Sequence, residues 1–146
     1  MIDKLNTDIK SAMKAKDKVR LTTLRGVKSE ADSIAKKDVR DVTSGDIENA
    51  VIKGIKQRKE AIDIYVDKKR EDLADVERAE VDILQEFLPD QLTNEEISEI
   101  VDDAIATLGA TSKKDMGKVM GYVNKKIAKG SADGGAIAKI VGSKLA

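Results

Sequence analysis

The sequence has no cysteine, no histidine, a single proline (Pro89) and only three aromatic residues, Tyr65, Phe87 and Tyr122. Each absence removes a class of chemistry. Without cysteine no disulfide can staple the fold, so the apolar core of a 146-residue chain has to suffice. Without cysteine or histidine, nucleophile–histidine triads, Cys–His pairs and ordinary zinc sites are excluded, and neither a metal nor any other cofactor is expected. Three aromatics are too few to build a platform on which nucleic-acid bases stack. Apolar runs such as VMGYV fall far short of the roughly 18 residues that a membrane span requires. Charges at positions 3, 4, 8 and 10 leave no signal-type apolar stretch at the start. These readings predict a soluble chain in a reducing, cytoplasmic setting, with no membrane partner.

What the sequence does hold is charge and helical periodicity. Charged residues make up 37% of the chain, 27 basic against 27 acidic. The zero net charge argues against a globally basic binder but hides a local asymmetry. Apolar residues recur at helical spacing throughout, and strand-like alternation is not sustained anywhere. Ile2, Leu5, Ile9 and Met13 form one stripe, and Leu21, Leu24, Val27, Ala31 and Ile34 a second. Thr43 and Asp46 stand in capping-box spacing ahead of a long helix with Ile47, Val51, Ile55, Ile62, Tyr65 and Val66 on one face. A further face runs through Leu73, Val76, Leu84, Phe87 and Leu88 until Pro89 ends it. Beyond Pro89, Thr93 and Glu96 form another capping box, and Gly109 closes the helix that carries Ile97, Ile100, Val101, Ala104, Ile105 and Leu108. Ser112 with Asp115 opens a helix that Gly130 stops, and Asp133 caps a last one through Ile137, Ile140, Val141 and Leu145. The prediction is an all-α protein. About four helices, long and antiparallel, form an N-terminal domain over 1–88, a hinge spans 89–92, and a small three-helix domain covers 93–146. Gly26 and Gly54, inside helices of the first half, are read as close helix crossings.

The stretch KKDMGKVMGYVNKKIAKG (113–130) is the most unusual. Two interior glycines and six lysines sit in a helical pattern, although an interior glycine costs a helix roughly 1 kcal/mol relative to alanine. At about 100° per residue, Met116, Val119, Met120, Val123 and Ile127 fall on one arc. Lys114, Lys118, Lys125 and Lys129 fall opposite, together with Gly117 and Gly121. The glycines therefore strip a cationic face of bulk, so that another backbone, a helix or a phosphate chain, could approach. From Gly109 onward eight lysines face only Asp115 and Asp133, while the stretch from Thr93 to Leu108 holds five acids and no base. A lysine cluster on a lean face suits sequence-independent phosphate contact. The same pattern also reads as a solvated face with small-xxx-small spacing for a helix crossing. KGSADGG lacks the phosphate-loop pattern and a preceding strand, and reads as a helix stop followed by a helix start. Arg58 and Lys59 are secondary candidates, laced to Glu60 and Asp63 on a solvated helix. Asp102 and Asp103 point to different sides of their helix. No catalytic constellation is present.

FLPDQLTNEEI, SKKDMGKVMG and KGSADGGAIAKIVGSKL, read with the earlier IKQRKEAI and KKREDLADVERAE, resemble the YqeY-like family over nearly the whole chain. That family shares its C-terminal module with the tail of GatB, a component of the tRNA-dependent Asp/Glu amidotransferase. The resemblance implies an N-terminal helical domain followed by a three-helix tail that contacts tRNA. Carried over by residue, MGKVMG places that role on Gly117, Lys118 and Gly121, and KGSADG on Lys129, Gly130, Asp133 and Gly134. Ser131 and Gly135 depart from the family, which commonly has basic residues there. The function implied is a non-catalytic accessory protein that binds tRNA-like RNA. The alternatives are a helical protein–protein interaction module, or a subunit associated with an amidotransferase or aminoacyl-tRNA synthetase-type protein. In the latter case it would serve a carbon–nitrogen ligase with glutamine as amido donor, whose catalytic groups come from the partner.

Overall fold

The computed structural model describes residues 1–145, which are all-helical with no strand among them. Seven α-helices run in order: α1 (Ile2–Ala15), α2 (Lys18–Lys37), α3 (Ser44–Asp67), α4 (Glu71–Gln85), α5 (Asn94–Leu108), α6 (Met116–Lys126) and α7 (Gly134–Lys144). A 3₁₀ turn, Lys113–Asp115, precedes α6. The chain divides into two compact units, Met1–Leu88 and Pro89–Ala146.

In the first unit, Leu5, Leu24, Val27, Ala31, Ile47, Val51, Leu84 and Phe87 are buried in one core. A fully buried aliphatic side chain of this kind contributes roughly 1.5–3 kcal/mol. Polar clasps surround it. Arg20 on α2 pairs with Glu86 just after α4, and Lys4 on α1 lies 4.6 Å over the Phe87 ring. The Thr43–Asp46 capping box forms in both directions, and Arg40 reaches the same Asp46 carboxylate, which is buried. Among the read glycine crossings, Gly54 is one: a Cβ there would stand 3.2 Å from Leu84 Cδ1. Gly26 is not, because a Cβ there would meet nothing within 4 Å.

Helices α1, α2 and α3 end alike. Lys16, Val39 and Lys69 adopt left-handed conformations with φ of 56°, 51° and 58°. In each case the next amide reaches back five residues, as from Arg40 to the Ala35 carbonyl at 3.2 Å. This is the helix-ending arrangement that usually carries glycine.

Several apolar positions expected inside lie outside. Met13, Val66, Val76 and Leu108 are 51%, 41%, 51% and 43% exposed: Met13, Val66 and Leu108 lie in the last turns of their helices, and Val76 lies on the outer side of α4. Ala74, Val81 and Ile83 fill the inner side of α4 instead. That helix also stops at Gln85, short of Pro89. Residues 86–88 tighten into bonds to the third residue back, the Phe87 amide to the Leu84 carbonyl among them.

The second unit has its own core of Ile97, Val101, Ala104, Val119, Val123, Ile137, Val141 and Leu145. Thr93 accepts a hydrogen bond from the Glu96 amide at the head of α5, and Gly109 ends that helix at φ 64°. Helix α6 is shorter than its periodicity suggests. It ends at Lys126, and Ile127 is extended at φ −109°, ψ 156°. The expected cap at Ser112 is also absent: its side chain makes no capping bond, and Asp115 accepts from the Thr111 amide instead.

Candidate functional site

Helix α6 is oriented by its two buried valines, Val119 and Val123, with Met116, Met120 and Tyr122 half-buried beside them. The opposite side presents Gly117, Lys118, Gly121 and Lys125, all exposed. A Cβ built on Gly117 or Gly121 would meet nothing within 4 Å. Neither glycine therefore serves a helix crossing within the chain. The exposed backbone is flanked by ammonium groups, and among the described residues none of the ion pairs involves Lys114, Lys118 or Lys125. Asp115 at the head of α6 faces inward to the turn. The Thr111 amide, then the Ser112 amide and the Lys118 charge, hold its carboxyl below the usual range.

The two outer lysines leave the helical wheel. Lys114 belongs to the 3₁₀ turn, and Lys129 lies in the turn beyond the helix, exposed. That turn is held from outside. The Gln91 side-chain amide donates to the Gly130 carbonyl at 2.7 Å, and the Leu92 amide donates to the Ser131 carbonyl at 2.8 Å. Gly130 has φ 83°, which explains a glycine there. Ser131 is buried and its hydroxyl donates to the Ala128 carbonyl at 2.6 Å, so this position locks the turn from the inside.

Asp133 caps α7 by accepting from the Gly135 amide at 3.3 Å. A carboxylate thus already takes one amide of that helix start, and Gly134 stands exposed beside it. The lysine–glycine face belongs to α6 and the Asp133–Gly134 start to α7.

Two other cations of the unit are engaged. Lys144 pairs with Asp102 at 2.8 Å, and Lys126 lies 5.4 Å over the Tyr122 ring. Tyr122 donates its hydroxyl to Asp103 at 2.9 Å, which holds the ring against α5 and away from base stacking.

Arg58 and Lys59 lie in the other unit, on α3. Arg58 is half-buried, donates to Glu80 on α4 at 2.8 Å and to the Gly54 carbonyl at 3.1 Å, and so ties the two helices together. The Glu60 and Asp63 lacing read from its own helix is not what holds it. Lys59 is exposed. Among the described residues no group of His, Cys, Asp or Glu side chains is arranged to hold a metal ion, and no helix is long and apolar enough to cross a membrane. Sequence reasoning missed Gln91, whose bond to Gly130 spans 39 positions and leaves no local signal.

Residues 2–145 match the family model described as "Yqey-like protein". The chain is 31% identical over 150 residues to "Altered inheritance of mitochondria protein 41, mitochondrial" of Pyrenophora tritici-repentis, covering 99% of this chain and 82% of that relative. The protein of the same name from Kluyveromyces lactis is 41% identical over 88 residues, 57% of this chain and 45% of its own length. That of Saccharomyces cerevisiae (strain YJM789) is 28% identical over 133 residues, 84% of this chain and 69% of its own. These relatives correct the expectation of a cytoplasmic setting: at 28% to 41% identity to this chain, they are named as mitochondrial proteins.

Proposed function

We propose, from the premise that this chain belongs to the YqeY-like protein family, that it is a non-catalytic accessory protein whose second unit binds the phosphate backbone of tRNA-like RNA. The observation that carries this reading is the α6 face. There two glycines with open space above them lie beside Lys118 and Lys125, which enter no ion pair among the described residues. The backbone of a ligand can come close there without meeting a side chain, and the ammonium groups wait on either side. Gly117, Lys118 and Gly121 are also the residues of this helix that the resemblance to the amidotransferase tail implies.

All cations after Arg78 are lysines. Lysine meets phosphate as a point charge with no fixed fork, so binding through this face is independent of base sequence. Three neutralised phosphates give a salt slope near −3 at about 0.9 each, with a dissociation constant in the nonspecific range of about 10⁻⁴–10⁻⁶ M. In this reading residues 1–88 and 93–146 act as separate modules joined through 89–92. Any carbon–nitrogen ligase chemistry belongs to an amidotransferase or aminoacyl-tRNA synthetase-type partner.

The test is a titration of the full chain with bulk tRNA at 50 and 200 mM salt. Replacing Lys118→Gln together with Lys125→Gln should flatten the salt slope by about 2, at roughly 0.9 for each phosphate no longer neutralised, with helicity unchanged. Binding that is undetectable at low salt, or equal in the variant, refutes the reading.

A further inference from the structure

The chain has six arginines, all before Pro89. Five are committed to carboxylates: Arg20 to Glu86, Arg40 to Asp46, Arg58 to Glu80, Arg70 to Asp72 and Arg78 to Glu71 and Asp75. Among the described residues Arg25 is the one arginine with no ion pair and no side-chain hydrogen bond. A guanidinium in a chain with 27 acidic residues is rarely left unpaired by want of candidates, and here every other one has found a partner.

Arg25 stands exposed on α2, opposite the face that buries Leu24, Val27, Ala31 and Ala35. Lys28 and Lys36 share its side, with Ser29 and Ser33 between them. These residues and Asp32 line a shallow depression of about 390 Å³. Arg25 and Lys36 are about 16 Å apart along the axis at 1.5 Å per residue. Asp32 is the one acid on this strip. The nearby Glu30 is bound to Lys53 at 2.6 Å and adds little free negative charge.

We propose that this face of α2 is a second binding surface for the sugar–phosphate backbone of RNA. Arg25 holds one phosphate with two parallel N–H donors, a geometry that guanidinium supplies and ammonium does not. Lys28 and Lys36 neutralise flanking phosphates, and the Ser29 and Ser33 hydroxyls donate to phosphate oxygens between them. The inference rests on the reading that the chain binds RNA, and it adds the first unit to the binding surface.

The experiment titrates bulk tRNA into three full-length proteins at 50 and 200 mM salt: wild type, Arg25→Gln/Lys28→Gln and Lys118→Gln/Lys125→Gln. All four positions are exposed, and circular dichroism checks that helicity is kept. For Arg25→Gln/Lys28→Gln, the ratio of dissociation constants between the two salt concentrations should shrink about 12-fold, roughly 3.5-fold for each phosphate released. Arg25→Lys should keep the salt slope while weakening affinity, because it keeps the charge and removes the fork. If the α2 variant binds as wild type while the α6 variant is weakened, this inference is overturned and the α6 reading stands. If the α2 variant is weakened and the α6 variant is not, the α2 surface stands and the α6 face fails. A wild-type chain that does not bind overturns both.

Discussion

Gly121 offers a way to separate what the fold needs from what the surface does. It is the sixth residue of α6, with no side chain or foreign backbone near the place a methyl would occupy. Gly121→Ala should therefore recover nearly the full helix preference of alanine, about 1 kcal/mol, with no steric term to subtract. In a unit of this size that gain raises the melting temperature by about 4–8 °C. Gly54 gives the opposite control. A methyl there would stand 3.1 Å from Arg58 Nη1 and 3.2 Å from Leu84 Cδ1. Leu84 is fully buried and Arg58 is tied to Glu80, so neither can give way easily. Overpacking of this kind costs about 1–3 kcal/mol and should outweigh the helix gain. Melting followed by circular dichroism, paired with tRNA titration at 50 mM salt, makes the comparison. The expected result is that Gly121→Ala is more stable yet binds RNA more weakly, since the methyl lifts a ligand backbone off the helix. If Gly121→Ala is more stable and binds unchanged, the glycine does not serve close approach. If it is less stable, the space above α6 is filled in solution and Gly121 offers no open approach to a ligand.

Two further outcomes concern the first unit. The Arg40 guanidinium, followed by the Thr43 amide, holds the Asp46 carboxyl well below the ordinary carboxylate range. A depressed folded value stabilises the fold above the unfolded value of about 3.9 and loses that contribution as pH falls below it. Chemical denaturation from pH 7 to pH 2 should show wild type more stable than Asp46→Asn at neutral pH, the gap closing below about pH 4; a gap independent of pH would count against the pairing. Val39 is 91% exposed and left-handed at φ 51°, a conformation that costs a β-branched residue about 1–2 kcal/mol. Val39→Gly should raise stability by about 0.5–1 kcal/mol after the flexibility of glycine is subtracted, and a lower melting temperature would show that the exposed valine packs on something.

Local features were the legible ones. Thr43 and Asp46 lie three residues apart and cap α3 as their spacing indicates, and Gly109 and Asp133 likewise mark real helix ends. The inner valines of α6 and the lean side opposite them also follow from periodicity alone. What failed depends on partners distant in sequence. The wheel carries α6 on to Gly130 because Ile127 and Lys129 keep the period, yet Gln91 and Leu92 hold the 130–131 backbone in a turn. Arg58 looks solvated beside Glu60 and Asp63 until Glu80, 22 positions away, takes it. The unpaired state of Arg25 is invisible for the same reason, because pairing is decided by which helices lie alongside. Met13, Val66 and Leu108 show the limit of the apolar stripe, which continues into the last turns of helices, and Val76 shows that an apolar residue can also sit on a helix's outer side.

Among the described residues the first oily interior draws on residues up to Leu88 and the second on Leu92 onward. Where one half melts before the other, no single midpoint describes the whole chain. Tyr122 is the lone ring after Pro89, with Tyr65 and Phe87 both ahead of it. A mutant of α6 judged by bulk helicity alone could register the wrong half, whereas the environment of that one phenol reports on its own.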